Sequence, residues 1–121
     1  MTIINLTQHA ATPEQTGEGV QDLHADARTA LVAALTFDAL PEPGEIASRA
    51  RAIAALAVEA GATRAMIGGA PYLMGSLAAT LKIRGITPLY SFTRRESVEE
   101  TLPDGSVRKM AVFRHVGWVG A

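Results

Sequence analysis

Histidine is the side chain whose charge changes near neutral pH, and the chain has three: His9, His24 and His115. His9 closes Thr7-Gln8-His9, a run of three hydrogen-bonding side chains directly after the apolar stretch Ile3-Ile4-Asn5-Leu6. Placed there it reads either as an acid–base group or as a cap for the loop. His115 sits in Phe113-Arg114-His115-Val116, where alternation puts it on one face with Phe113 and Val107. It reads as a satisfied, half-buried structural histidine. His24 stands at a helix start and reads as solvated.

Two further segments carry groups that hold anions. In Ile67-Gly68-Gly69-Ala70-Pro71-Tyr72 the paired glycines let backbone N–H groups approach a ligand, and Pro71 suits the first position of a helix. The free N–H groups and the dipole of such a helix start favour a phosphate. The segment is neither a Walker loop nor a GxGxxG turn, and a plain strand-to-helix turn is its alternative reading. Thr93-Arg94-Arg95-Glu96-Ser97 supplies two guanidinium groups able to pair with phosphate in bidentate fashion, or a solvated pair at a strand edge. Tyr72 and Met74 read as base-stacking or as core residues. The scattered histidines, without HxH or HExxH, give no metal site, and no cofactor motif is present.

Elements must bring these segments together. Thr2 to Leu6 is a short apolar, β-branched strand. Thr12-Pro13-Glu14-Gln15 has the signature of a capping box, and Gly17 and Gly19 end that helix after about one turn. Leu23, Ala27, Ala30, Leu31 and Ala34 predict a helix over about 22–35, and Ile46, Ala50, Ile53, Ala57 and Ala60 predict one over 46–60 capped by Gly61. A strand over 62–67, a helix from Pro71 to about Arg84 and a strand over 86–92 follow. Two strands around Pro103-Asp104-Gly105 complete the chain as a hairpin. Glu99 and Glu100 read as an edge that discourages pairing, and Trp118 as cover for a sheet face or a dimer contact.

The order implies one α/β domain over 1–121: a small, Rossmann-like, mainly parallel sheet with helices on its faces and a C-terminal antiparallel hairpin. In such sheets ligands collect beyond the carboxyl ends of the strands, where residues 7–9, 68–72 and 93–97 are all expected.

Composition bounds the partners. Hydrophobic residues make up 48% and charged residues 19% of the 121, and the formal charge is -1, which gives no electrostatic case for long nucleic acid. The absence of cysteine removes disulfides, thiolate ligands and thiol nucleophiles. No leader-like start and no apolar run near the roughly 20 residues of a membrane span are found. A soluble cytoplasmic protein is expected.

The string Asn5-Leu6-Thr7-Gln8-His9-Ala10-Ala11-Thr12-Pro13-Glu14-Gln15 resembles the opening of small CRISPR-associated stand-alone ring nucleases of CARF-like fold. Those proteins begin with a strand ending in Ser/Thr and His, followed by a Thr and a Glu-Gln pair at a helix start. Here Gln8 separates the hydroxyl from the histidine. The likeness spans about a tenth of the chain. It implies a homodimer that binds a cyclic oligoadenylate and cleaves it without metal or cofactor, by attack of a 2′-hydroxyl on the adjacent phosphate. Thr7 and His9 match the resembling positions. From topology, Asn5, Gln8, Gly68, Gly69, Ala70, Tyr72, Thr93 and Ser97 join Thr7 as binding candidates, and Arg94 and Arg95 join His9 as candidates for the chemistry. Two other readings stay open: a crevice that only senses or sequesters a nucleotide, and an interaction module that docks through its hairpin.

Overall fold

Apolar side chains alternating along very short strands decide how this sheet is built. The computed structural model describes residues 2–121. Its elements run β1 (Ile3–Asn5), α1 (Pro13–Gly17), β2 (Val20–Asp22), α2 (Ala25–Leu35), α3 (Pro43–Glu59), β3 (Arg64–Met66), α4 (Pro71–Ile83), β4 (Thr87–Thr101) and β5 (Val107–Gly120). They form one five-stranded sheet in the order β2-β1-β3-β4-β5, parallel except for the β4–β5 pair. The fold is α/β with a C-terminal antiparallel hairpin.

The connections explain the layers. From β1 the chain steps one way to β2, then returns past β1 to β3 and on to β4. Crossovers of one hand that step in opposite directions lie on opposite faces, so α1 is separated from α2, α3 and α4. The cores agree. Ile4, Leu6, Ala65 and Ile67 pack with Leu31, Ile53 and Leu77 of the three long helices. Ile3, Val20 and Met66 point the other way, against Ala11, Leu89 and Trp118. Trp118 therefore covers a sheet face.

In α3 the buried stripe is Ala50, Ile53, Ala54 and Ala57, small enough for the helix to lie close to its neighbours. Gly61 follows that helix at φ +72°, the left-handed turn that lets the chain re-enter the sheet. Phe37, in the α2–α3 connection, lies under the Arg49 guanidinium and edge-on to Tyr72 at the start of α4. Among the described residues no helix is long and apolar enough to cross a membrane.

Several expected boundaries are corrected. The segment Val20–Asp22, read as loop and helix start, is an edge strand pairing in parallel with β1, and α2 begins only at Ala25. Ala30 and Ala60 are exposed rather than on the packed faces. The strand expected over 86–92 does not end there. β4 runs unbroken to Thr101, so it merges with the first strand of the expected hairpin, and residues 93–97 lie along it and not at the crevice. The reason is the partner strand: β5 pairs with β4 along its whole length and supplies the hydrogen bonds that β3, ending opposite Leu89, cannot.

From Leu89 to Thr101 the ribbon climbs about 40 Å at the rise of an extended strand. A bulge opens it, with Phe92 opposite Gly117 and Thr93 opposite His115, which leaves Val116 as the extra residue. Glu96 pairs with Arg114 and Glu100 with Arg108, each with a contact at 2.7 Å. At the tip Asp104 Oδ1 accepts from the backbone N–H and the hydroxyl of Ser106, with Gly105 at φ +84°.

Candidate functional site

Asn5, the last residue of β1, is buried, and a buried amide must find partners for both ends. Its Nδ2 donates to the carbonyl of His9 and to Asp22 Oδ1 at the end of β2, both at 2.8 Å. Its Oδ1 accepts from the Thr7 backbone N–H at 2.9 Å and the Thr7 hydroxyl at 2.7 Å. One side chain thus pins the whole Thr7–His9 bend. Asp22 Oδ1 also accepts from Ala11 N–H at 3.1 Å, carrying the loop on to Thr12. There Thr12 and Gln15 close the capping box that starts α1.

The facing wall comes from β3. Ile67 N–H still pairs with Leu89, and the chain then bends through Gly68 and Gly69 into α4. A Cβ on Gly68 would sit 3.4 Å from the Thr7 methyl. Gly69 takes φ +153°, a backbone that side chains rarely adopt, and a Cβ there would lie 3.4 Å from Met74 Cε. The N-cap of α4 is Ala70, so no side chain caps the helix start.

Between the walls lies a crevice of about 470 Å³. It is lined by residues 7–10 beyond β1, residues 66–69 at the end of β3, Thr12 and Gln15 of α1, and Tyr90 and Ser91 of β4. The position follows from topology. The chain leaves β1 toward one side of the sheet and β3 toward the other, so their carboxyl ends open a gap that no connection crosses. Behind the wall Arg28 of α2 braces this loop: its Nη2 donates to the Gln8 carbonyl at 3.4 Å and its Nη1 lies 3.6 Å from Asp22.

On the β4 side the crevice meets a chain of polar contacts. Gln15 Nε2 donates to Ser91 Oγ at 3.2 Å, and Ser91 Oγ is 2.5 Å from His115 Nδ1. His115 Nε2 lies 2.9 Å from Glu18 Oε2, just after α1. The imidazole side chain is 1% exposed against 44% for that of Glu18. Trp118 lies beside the ring at 4.5 Å between centroids. The hydrogen bond from His115 holds the Glu18 carboxyl below its ordinary value, with a smaller contribution from Trp118, while desolvation opposes both.

The residues singled out in the sequence divide. Thr7, Gln8, His9, Gly68 and Gly69 come together around the crevice. Asn5 lies beneath them as their anchor. The Thr7 hydroxyl donates back into its own loop. Ala70 packs against the core, and Tyr72 stands on Phe37 outside the crevice lining. Thr93, Arg94, Arg95 and Ser97 are exposed on the ribbon, with Arg95 about 13 Å of strand rise beyond Ser91. Ser91 and Glu18 carried no local signal. Glu18 and His115 are far apart in the chain, and only the antiparallel return of β5 and the crossover of α1 join them. Among the described residues no group of three or more His, Asp or Glu side chains could hold a metal ion.

The chain matches the model of the Uncharacterized protein MJ1673 family over residues 1–119, and it belongs to that family. No curated protein and no solved structure matches it.

Proposed function

We propose that this member of the MJ1673 family binds a cyclic oligoadenylate in the crevice between β1 and β3 and opens the ring without metal. The observation that carries the reading is the crevice itself. It lies at the topological switch point, where open α/β sheets take nucleotides, and it joins a histidine and a glycine bend in one lining, with the uncapped start of α4 following that bend. The resemblance of Asn5–Gln15 to stand-alone ring nucleases supplies the choice of ligand. In this reading the Gly68–Gly69 bend and the start of α4 hold one phosphate, and His9 orients or protonates at the rim. Arg94 and Arg95 reach the ligand only where it rises above the crevice along the ribbon. The ring bridges two crevices of a homodimer acting in the cytoplasm.

The test is incubation of purified protein with labelled cyclic oligoadenylates of several ring sizes and with linear RNA, in EDTA, products being resolved on a gel. Loss of one ring to linear products is expected, slowed in His9→Ala. Binding without cutting, seen as a thermal shift, would leave a sensor or sponge. No cutting and no shift with any ring would overturn the reading.

The ribbon favours a second reading. Val107 is 57% exposed and Phe113 68% exposed on the face they share with Lys109 and Ala111, a mixed apolar and charged edge suited to strand addition by a protein partner. An interaction module of this kind predicts that Phe113→Ser abolishes function while His9→Ala leaves it intact.

A further inference from the structure

We infer that Ser91 is the group that delivers a proton to the reacting phosphodiester, with His115 and Glu18 as positioning residues behind it. The inference rests on the ring-opening reading above and assigns its chemistry to residues other than His9.

The hydrogen-bond count fixes the direction of the relay. An ionised Glu18 can only accept, so His115 Nε2 carries a hydrogen toward it. When the imidazole is protonated, Nδ1 also donates, and its partner at 2.5 Å is Ser91 Oγ. Gln15 Nε2 donates to the same oxygen at 3.2 Å. Both lone pairs of the hydroxyl are then occupied. Its own hydrogen has to point elsewhere, and Ser91 lines the crevice. When the imidazole is neutral, Nδ1 is bare and the hydroxyl hydrogen turns back to it. The two states of one ring thus switch Ser91 between presenting a proton to the crevice and withdrawing it.

The step balances without a co-reactant. The 2′-oxygen of the ribose forms a bond to the adjacent phosphorus as the bond from phosphorus to the 5′-oxygen breaks. The 5′-oxygen takes the departing electron pair and the proton of Ser91 Oγ. Ser91 recovers a proton from His115 Nδ1. The 2′-hydroxyl proton leaves to water in the crevice, and water there returns one to His115 Nδ1 through Ser91 Oγ.

The groups facing His115 come from three elements. Glu18 follows α1, Ser91 and Thr93 belong to β4, and Trp118 is on β5. The next charges, Arg114 with Glu96 and Glu14, are paired among themselves. Among the described residues Glu18 is therefore the carboxylate in contact with the ring.

The test compares Ser91→Ala, Ser91→Thr and Glu18→Gln with the wild type in ring opening from pH 5 to 9, beside ¹⁵N spectra of the histidine side chains. Ser91→Ala is expected to lower kcat by on the order of a hundredfold with KM within about threefold. Ser91→Thr should recover part of the loss. Glu18→Gln should move the alkaline limb of kcat to lower pH and displace the ¹⁵N resonance of His115 Nε2, which faces Glu18. A wild type that cuts rings while Ser91→Ala cuts equally well would overturn the relay and leave the ring nuclease standing. A wild type that cuts no ring would overturn the proposed function, and the role of Ser91 with it. In that case a His115 Nε2 resonance unmoved by Glu18→Gln would show that the polar chain is not coupled either.

Discussion

Asn5 Nδ2 donates to Asp22 Oδ1 at 2.8 Å and so ties the carboxyl ends of β1 and β2 together beneath the crevice. The same amide holds both ends of the Thr7–His9 bend. Asn5→Ala removes four hydrogen bonds made by one buried amide and should cost about 3 kcal/mol. Asn5→Asp is the sharper change at neutral pH, because it sets a second carboxylate against Asp22. Like charges at that distance raise the pKa of one of the pair, so the lost stability should return as pH falls and that group takes a proton. Urea unfolding of both variants at pH 7 and pH 5 measures this; an Asn5→Asp midpoint as low at pH 5 as at pH 7 would contradict it.

Glu18 gives a second pH dependence. Its carboxyl is held below the ordinary value of 4.5 by the hydrogen bond from His115. A carboxyl lowered in the folded state stabilises the fold above its unfolded pKa and loses that contribution as pH falls through the folded one. Thermal unfolding of the wild type should therefore fall off as the pH drops below about 4.5 more steeply than that of Glu18→Gln. Parallel curves for the two proteins would argue against the contact.

Gly69 should not tolerate a side chain. At φ +153° alanine must strain the bend, although its Cβ would only come into ordinary contact with Met74 Cε at 3.4 Å. Gly69→Ala is expected to destabilise by about 1–3 kcal/mol and to weaken any anion held there. Thermal unfolding with and without a cyclic oligoadenylate measures both effects.

Ala54 tests the close packing of α3. It is fully buried in the alanine stripe of that helix. Ala54→Leu adds volume where the fold provides none and should cost about 1–3 kcal/mol, although leucine is larger and more apolar. A stability gain in urea would mean that α3 packs more loosely than its alanines imply.

Much of this was written locally in the chain. The Thr12–Gln15 capping box, the helix from Pro71 and the Asp104-Gly105 turn each depend on neighbours a few residues away, and all three formed as their residue types dictate. The crevice was legible too, because strand order alone places residues 7–9 beside 68–69. What failed depended on distant partners. Val20-Gln21-Asp22 holds one buried apolar side chain, and only pairing with β1 makes it a strand. Arg94 and Arg95 lie in the hairpin as its turn signal predicts, yet β4 paired with β5 runs on without a break and carries them away from the crevice. The Ser91–His115 contact joins two strands across a bulge, and no spacing in the sequence encodes it.

The most direct measurement is a backbone amide NMR titration of the intact protein with cyclic oligoadenylates. If the crevice is the site, the resonances that move first are those of residues 7–10 and 68–69, followed by Ser91 as the ring seats against β4. Shifts confined to residues 107–113 of the ribbon, or none with any ring size, would contradict a nucleotide site between β1 and β3.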